Sequence, residues 1–172
     1  MNTNRPIRYC PYCGTPTQER FIFGKDHPAC PACGWVHFTD PKVAAAALLI
    51  IDNEVLLTKR VYEPKKGNWT LPAGFVDAFE DPARAVEREC LEETGLQVEV
   101  LELIDVLTGR EHDSGADIVL VYRVRLLGGS LHAGDDAEQA EFFKLDALPP
   151  LGFLSTQKIL KGERGIIAGF HI

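Results

Sequence analysis

Four of the five cysteines stand as Cys10-Pro-Tyr-Cys13 and Cys30-Pro-Ala-Cys33, two matched turns separated by sixteen residues and each followed by a glycine, Gly14 and Gly34. Nothing else in the chain restricts its folding so tightly. Two Cys-x-x-Cys turns offer four thiolates, the soft tetrahedral set that a zinc ion takes. A glycine after each pair lets the backbone turn sharply, so that amide N–H groups point at the sulfurs. A disulfide framework would leave one cysteine over and suits a secreted chain. A redox dithiol does not require two copies of one turn. The reading is a zinc site on Cys10, Cys13, Cys30 and Cys33, structural in role because so short a segment cannot bury a core unaided. His37 stands near the second pair, but four thiolates leave it no place.

Residues 1–38 are therefore expected to form a small zinc ribbon of short hairpins, with Thr39-Asp40-Pro41 as the junction to a second domain over 39–172. That domain reads as mixed α/β with more strand than helix. Residues 43–51 form a continuous apolar run, as in a buried strand, and Asp52-Asn53 turns it into a partner strand over 54–60. A short strand over 69–76 is interrupted at Leu71-Pro72-Ala73-Gly74. Strands are expected over 96–108, 118–127 and 141–145, and a last helix over 155–161.

Charge narrows the function. With 25 acidic against 18 basic residues the chain carries a net charge of −7. Its overall field repels a polyphosphate or a nucleic-acid backbone. A phosphate-handling site on this chain needs a bound cation or a local basic cluster. The apolar run over 43–51 falls far short of the roughly 20 residues of a membrane span. Arg5 and Arg8 precede no apolar stretch, so no secretory signal is read. The expectation is a soluble, cytoplasmic protein with no membrane partner.

The clearest helix runs over 82–94. Asp81 is a good N-cap, Pro82 fits the first helical position and Gly95 suits a left-handed stop. On a wheel of 3.6 residues per turn Ala83, Val86 and Cys90 share the face expected to pack on a sheet. Glu89, Glu92 and Glu93 fall together beside it at i, i+3 and i+4, and near the helix C-terminus, where both mutual repulsion and the macrodipole disfavour them. A solvated acidic face is one explanation. A bound divalent cation, which removes both penalties, is the other.

The residues around the helix decide between them. From Gly74 the chain reads glycine, five residues, Glu80, seven residues, then Arg88-Glu89-Cys90-Leu91-Glu92-Glu93-Thr94-Gly95-Leu96. This resembles the Nudix box, glycine-x5-glutamate-x7-arginine-glutamate-U-x-glutamate-glutamate-x-glycine-U, with Cys90 standing where a bulky aliphatic is usual. Trp69-Thr70-Leu71-Pro72-Ala73-Gly74 is similar to that family's approach to the box. The resemblance implies an α/β/α sandwich with a mixed sheet, a loop–helix–loop that binds magnesium or manganese, and hydrolysis of a nucleoside diphosphate linked to another moiety. It implies that Glu89, Glu92 and Glu93 are metal ligands or, for one of them, the base for the attacking water. By the same analogy Glu80 supports the cluster, Arg88 orients a glutamate and the Gly74 carbonyl faces a metal. Many relatives carry a further acidic ligand on a loop before a strand with paired aromatics, here Phe142-Phe143. The nearest position is Gln139, with Glu138 and Glu141 beside it, and the choice among them stays open.

Ribbon and box together are similar to NADH pyrophosphatases and to a shorter group acting on FAD or ADP-ribose. No Ser-Gln-Pro-Trp-type stretch follows the box, and Leu151-Gly152-Phe153-Leu154-Ser155 looks more like the shorter group. ADP-ribose or FAD, giving AMP and a second phosphate monoester, is the expected small-molecule chemistry. Trp69 and Phe75 are candidates to stack an adenine, with packing in the core as the competing role. Arg110, His112 and Asp113 lie in a loop that can reach substrate. Two other readings remain: a sensor that binds ADP-ribose without cleaving it, and a nucleic-acid-binding ribbon. Against the second, Arg8, Arg20, Lys25 and His27 are too few for a phosphate track. A homodimer, common in the family, stays open.

Overall fold

The computed structural model describes residues 7–112 and 115–161, and the chain divides into two units, Met1–Pro41 and Lys42–Ile172. In the first, strands β1 (Gln18–Ile22) and β2 (Lys25–Ala29) form an antiparallel hairpin. Phe23 and Gly24 make its turn, both at positive φ. An isolated bridge lies on either side of the hairpin, Tyr9 with Pro16 and Ala29 with Val36. The two cysteine turns are copies of one another. Gly14 N–H donates to the Cys10 carbonyl at 2.9 Å and Gly34 N–H to the Cys30 carbonyl at 3.1 Å. The glycines sit at φ 70° and 78°, the left-handed region that side chains resist.

The second unit begins with β3 (Val43–Leu48) and β4 (Ile50–Ile51). There follow β5 (Glu54–Arg60), β6 (Trp69–Thr70), β7 (Ala73–Phe75) and helix α1 (Pro82–Thr94). Strands β8 (Leu96–Thr108), β9 (Ile118–Gly129) and β10 (Ala137–Lys144) come next, and helix α2 (Leu154–Leu160) last. One sheet is ordered β7-β3-β9-β8, with β3 and β9 parallel and the other pairs antiparallel. The other is ordered β10-β5-β4, with β6 also on β5.

The apolar run over 43–51 is thus two strands in two sheets. After Leu49 the chain enters a tight hairpin, with Asp52 and Asn53 at φ 48° and 65° joining β4 to β5. Continuity of apolar residues along β3 has a plain cause. Ala45, Ala47 and Leu49 face one core cluster with α1, while Ala46 and Leu48 face another with α2. A strand covered on both faces has no polar side to show. Strand β10 starts at Ala137, four residues before the expected 141, and α2 starts at Leu154 rather than 155. No helix among the described residues is long and apolar enough to cross a membrane.

Helix α1 has the expected limits. Asp81 accepts a hydrogen bond from Ala83 N–H at 2.8 Å, and Gly95 closes the helix at φ 69°. Its buried stripe is Ala85, Val86, Cys90, Glu93 and Thr94, so Ala83, in the first turn, is only half-buried. This rotation of the stripe also separates the glutamates. Glu93 belongs to the buried face, Glu89 to its margin and Glu92 to the outside.

Candidate active site

Glu93 is 6 % exposed, although it is a glutamate at the end of a helix. Such a carboxylate needs donors to offset its lost hydration. Among the described residues two donors reach it, both on Oε2: the Ala73 N–H at 3.1 Å and the Thr58 hydroxyl at 3.3 Å. Burial, and then the Asp136 carboxyl against it, push its pKa well above the usual carboxylate range. Burial also raises Glu89, with Arg88 opposing. Glu89 lies against Gly74 so closely that a Cβ there would stand 2.0 Å from the Glu89 carboxyl carbon.

Arg88 organises the rest. Its Nε and Nη2 donate to Glu80 at 2.8 and 2.9 Å, and Nη2 also donates to the Phe75 carbonyl at 3.1 Å. Nη1 donates to Glu89 at 2.6 Å and to Glu92 at 3.2 Å. The bidentate contact to Arg88 holds the Glu80 carboxyl down at about 2, helped by the Asp77 N–H. So the structure assembles Glu80, Arg88, Glu89, Glu92, Glu93 and Gly74 around one helix face. Arg88 stands among the acids, between Glu89 and Glu92.

Asp136 is the residue that sequence reasoning missed. The loop over 130–136 satisfies carbonyls at the end of α1, which a helix leaves without partners. His132 N–H donates to the Thr94 carbonyl at 3.0 Å and Gly134 N–H to the Glu93 carbonyl at 3.1 Å. A Cβ on Gly134 would stand 2.4 Å from the Glu92 carbonyl oxygen, so this approach needs glycine. The chain then delivers Asp136 to Glu93 immediately before β10. Glu138 points elsewhere, in an exposed ion pair with Lys59 at 3.2 Å. Neither Glu138, Gln139 nor Glu141 lines the cavity described next, whereas Asp136 does. The available signal was Gly134-Asp135-Asp136, a turn sequence just before the strand.

A cavity of about 300 Å³ opens beside the carboxylates. Ala44, Ala46, Leu71, Val119 and Val121 give it an apolar floor, and Gly74, Phe75 and Asp136 lie at the carboxylate end. Phe153 also lines the cavity; the Arg60 guanidinium lies 4.9 Å from its ring centre and the His112 ring stacks on it at 6.0 Å. Phe75 is half exposed, with Lys42 Nζ 5.8 Å from its ring centre. Trp69 is buried, edge-on to Phe143 with ring centres 4.6 Å apart, and does not line the cavity. Its ring is occupied by the core. Arg110 extends into solvent and pairs with Asp117 at 3.0 Å, also away from the cavity lining. Asp113 lies outside the described residues.

In the first unit the four cysteine sulfurs all lie within 4.8 Å of one another. Cys10 and Cys33 are 3.6 Å apart and Cys13 and Cys30 3.4 Å, and all five cysteines of the chain are free. Four Zn–S bonds of about 2.3 Å place sulfurs roughly 3.8 Å apart, so the cluster fits a tetrahedral zinc. The Cys33 N–H points at Cys30 Sγ at 3.4 Å. Thr15, through its hydroxyl first, draws the Cys13 thiol down to about 6, towards the thiolate a metal needs. The carboxylates fit a different ion. Glu89, Glu93 and Asp136 bring like charges together in a mostly buried place, and their oxygens are the hard donors that magnesium or manganese takes.

Comparison with known proteins gives a concordant result. A family model described as the NUDIX domain matches residues 40–161. The chain is 42 % identical over 125 residues to an ADP-ribose pyrophosphatase of Methanocaldococcus jannaschii, covering 72 % of this chain and 73 % of that one. It is 32 % identical over 155 residues to an NAD-capped RNA hydrolase, NudC, of Pseudomonas aeruginosa, covering 86 % of this chain. The match spans about half (51 %) of that relative's length. The crystal structure of a NUDIX hydrolase from Nitrosomonas europaea superposes with a TM-score of 0.80 at 27 % identity, over 92 % of this chain and 93 % of that one.

Proposed function

The chain belongs to the Nudix family, as a pyrophosphatase acting on phosphoanhydrides, and we propose that its substrate is ADP-ribose, split to AMP and ribose 5-phosphate. The observation that carries the reading is the buried Glu93, faced by Asp136, which lines a cavity with an apolar floor. The choice of ADP-ribose rests on the relative that is 42 % identical and bears that name.

Hydrolysis forms a bond from a water oxygen to one phosphorus and releases the bridging oxygen with the other. Charge builds on the phosphoryl oxygens and must be neutralised, which a chain of net charge −7 cannot do by its overall field. Glu89, Glu92, Glu93, Asp136 and the Gly74 carbonyl would hold magnesium or manganese, which would supply that neutralising charge. One carboxylate of the set takes the proton of the attacking water. Arg88 keeps Glu89 and Glu92 in place, and Glu80 in turn fixes Arg88 through two hydrogen bonds. The apolar floor and the half-exposed Phe75 ring receive the nucleoside part. The four cysteines would hold zinc, which would stabilise the ribbon.

The test is product analysis by chromatography and mass. Protein and magnesium are incubated separately with ADP-ribose, FAD, NADH and a nucleoside triphosphate, and Glu93→Gln serves as control. The expected result is AMP and ribose 5-phosphate from ADP-ribose, with turnover at least ~10²-fold lower in Glu93→Gln. Intact ADP-ribose alongside tight binding of it would make the protein a sensor and overturn the catalytic reading. Faster cleavage of FAD or NADH would overturn the substrate.

A further inference from the structure

Strand β5 places its side chains on alternate faces of the sheet. Val55 and Leu57 enter the cluster beneath α2, and Leu56 enters the cluster beneath α1. Thr58 is next on the α1 side, where the pattern leads to another apolar residue. It is 3 % exposed, and it sits between Thr70 of β6 and Ala140 of β10. A hydroxyl so buried must meet a partner, and its partner is Glu93 Oε2 at 3.3 Å. The Ala73 N–H reaches the same oxygen at 3.1 Å. Both donors named for Glu93 therefore use one carboxylate oxygen.

We infer that Thr58 is a positioning residue: with the Ala73 N–H it pins Glu93 Oε2, fixes the rotation of the carboxylate and leaves Oε1 as the working atom for the metal. The inference rests on the active-site reading above. Its physical basis is the asymmetry of the two oxygens. A buried carboxylate held at one oxygen by donors on two strands cannot rotate without leaving a donor unpaired, and a buried unpaired donor is costly. The two donors come from β5 and β7, which belong to different sheets. The working oxygen is thereby referenced to both. The backbone donor survives any substitution of Ala73 short of proline; the hydroxyl is the part that the side chain at position 58 supplies.

The experiment compares Thr58→Ser, Thr58→Ala and Thr58→Val in the full chain, with Val55→Ala on the other face of β5 as a packing control. Two quantities are read: affinity for Mn2+ alone, from the electron paramagnetic resonance signal of the free ion, and kcat and KM for ADP-ribose. Thr58→Ser keeps the donor and is expected within about threefold of wild type in both. Thr58→Ala and Thr58→Val are expected to lose about tenfold or more in kcat or in Mn2+ affinity, the range seen when a hydrogen-bonding partner behind a metal ligand is removed. KM is expected to stay within about threefold, because Thr58 does not reach the substrate. If Thr58→Val does not fold, the Ser and Ala pair carries the comparison. Ala equal to Ser in both quantities overturns the inference. So does an equal loss in Val55→Ala, which would make the effect one of loosened packing. Should wild-type protein leave ADP-ribose intact, the functional reading fails while the Mn2+ measurement still decides the role of Thr58.

Discussion

Replacing Gly74 by alanine is a nearly isolated perturbation of the candidate active site. The new Cβ would stand 2.0 Å from both Cδ and Oε1 of Glu89 and 2.3 Å from Oε2. Carbon atoms rest about 3.5 Å apart or more, so the Glu89 carboxyl must retreat by roughly 1.5 Å. Nothing opposes the alanine itself. Gly74 is absent from the residues at positive φ and lies in β7, paired with Ala45 of β3. The atoms in its way are the far end of a flexible side chain, which can swing aside. Stability should therefore change by less than about 1 kcal/mol, and the stiffer unfolded chain favours the variant slightly. Activity is another matter. A misplacement of about 1 Å in a catalytic group costs on the order of 10²-fold, or about 2.7 kcal/mol of barrier. The check is the initial rate of AMP release from ADP-ribose with magnesium, alongside a thermal melt. Turnover reduced by about 10²-fold, with the melt unchanged, is expected. Turnover within about threefold of wild type would refute the placing of Glu89 and Gly74 at the metal.

Asp136 and Glu138 should part company. Asp136→Asn is expected to lower turnover by at least about tenfold, while Glu138→Gln, in an exposed pair with Lys59, leaves it within about twofold; steady-state rates of the two variants decide. Glu80 has a folded pKa near 2, below its unfolded value, so its contribution to stability is fully present above about pH 4.5 and lost as pH falls towards 2. Urea midpoints measured between pH 3 and pH 6 should therefore fall less steeply in acid for Glu80→Gln than for wild type. For the cysteines, elemental analysis should find about one zinc per chain, and Cys30→Ser should lose most of it.

Helix α1 shows how much was legible. Asp81, Pro82 and Gly95 act through the backbone next to them, so both helix ends follow from local chemistry, and the box glutamates inherit their spacing from it. The four cysteines are similar: each turn closes on itself with its own glycine, and the pairing of the two turns needs only the short hairpin between them. Ala83 shows the limit. A wheel gives angles around a helix axis but not which angle meets the sheet, and the true stripe centres on Ala85, Val86 and Cys90. For that reason the three glutamates looked equivalent in sequence, yet Glu93 is buried and Glu92 faces outward. Trp69 shows it again. Nothing in a strand pattern says whether an aromatic ring meets a ligand or, as here, Phe143.

By itself, then, the order of residues determined the four-cysteine hairpin, the box helix, the likeness of the whole to one family and the spacing of the box acids. Those features rest on neighbours a few residues apart. Tertiary structure alone decided which acid stands against Glu93 and what holds that glutamate. Asp136 comes 43 residues after Glu93 and reaches it because its loop satisfies the open end of α1. Thr58 comes 35 residues before Glu93 and reaches it because β5 is paired between β10 and β6 beneath that helix. Contacts of that kind are set by how strands and helices pack, and a linear pattern carries no record of the distance they span.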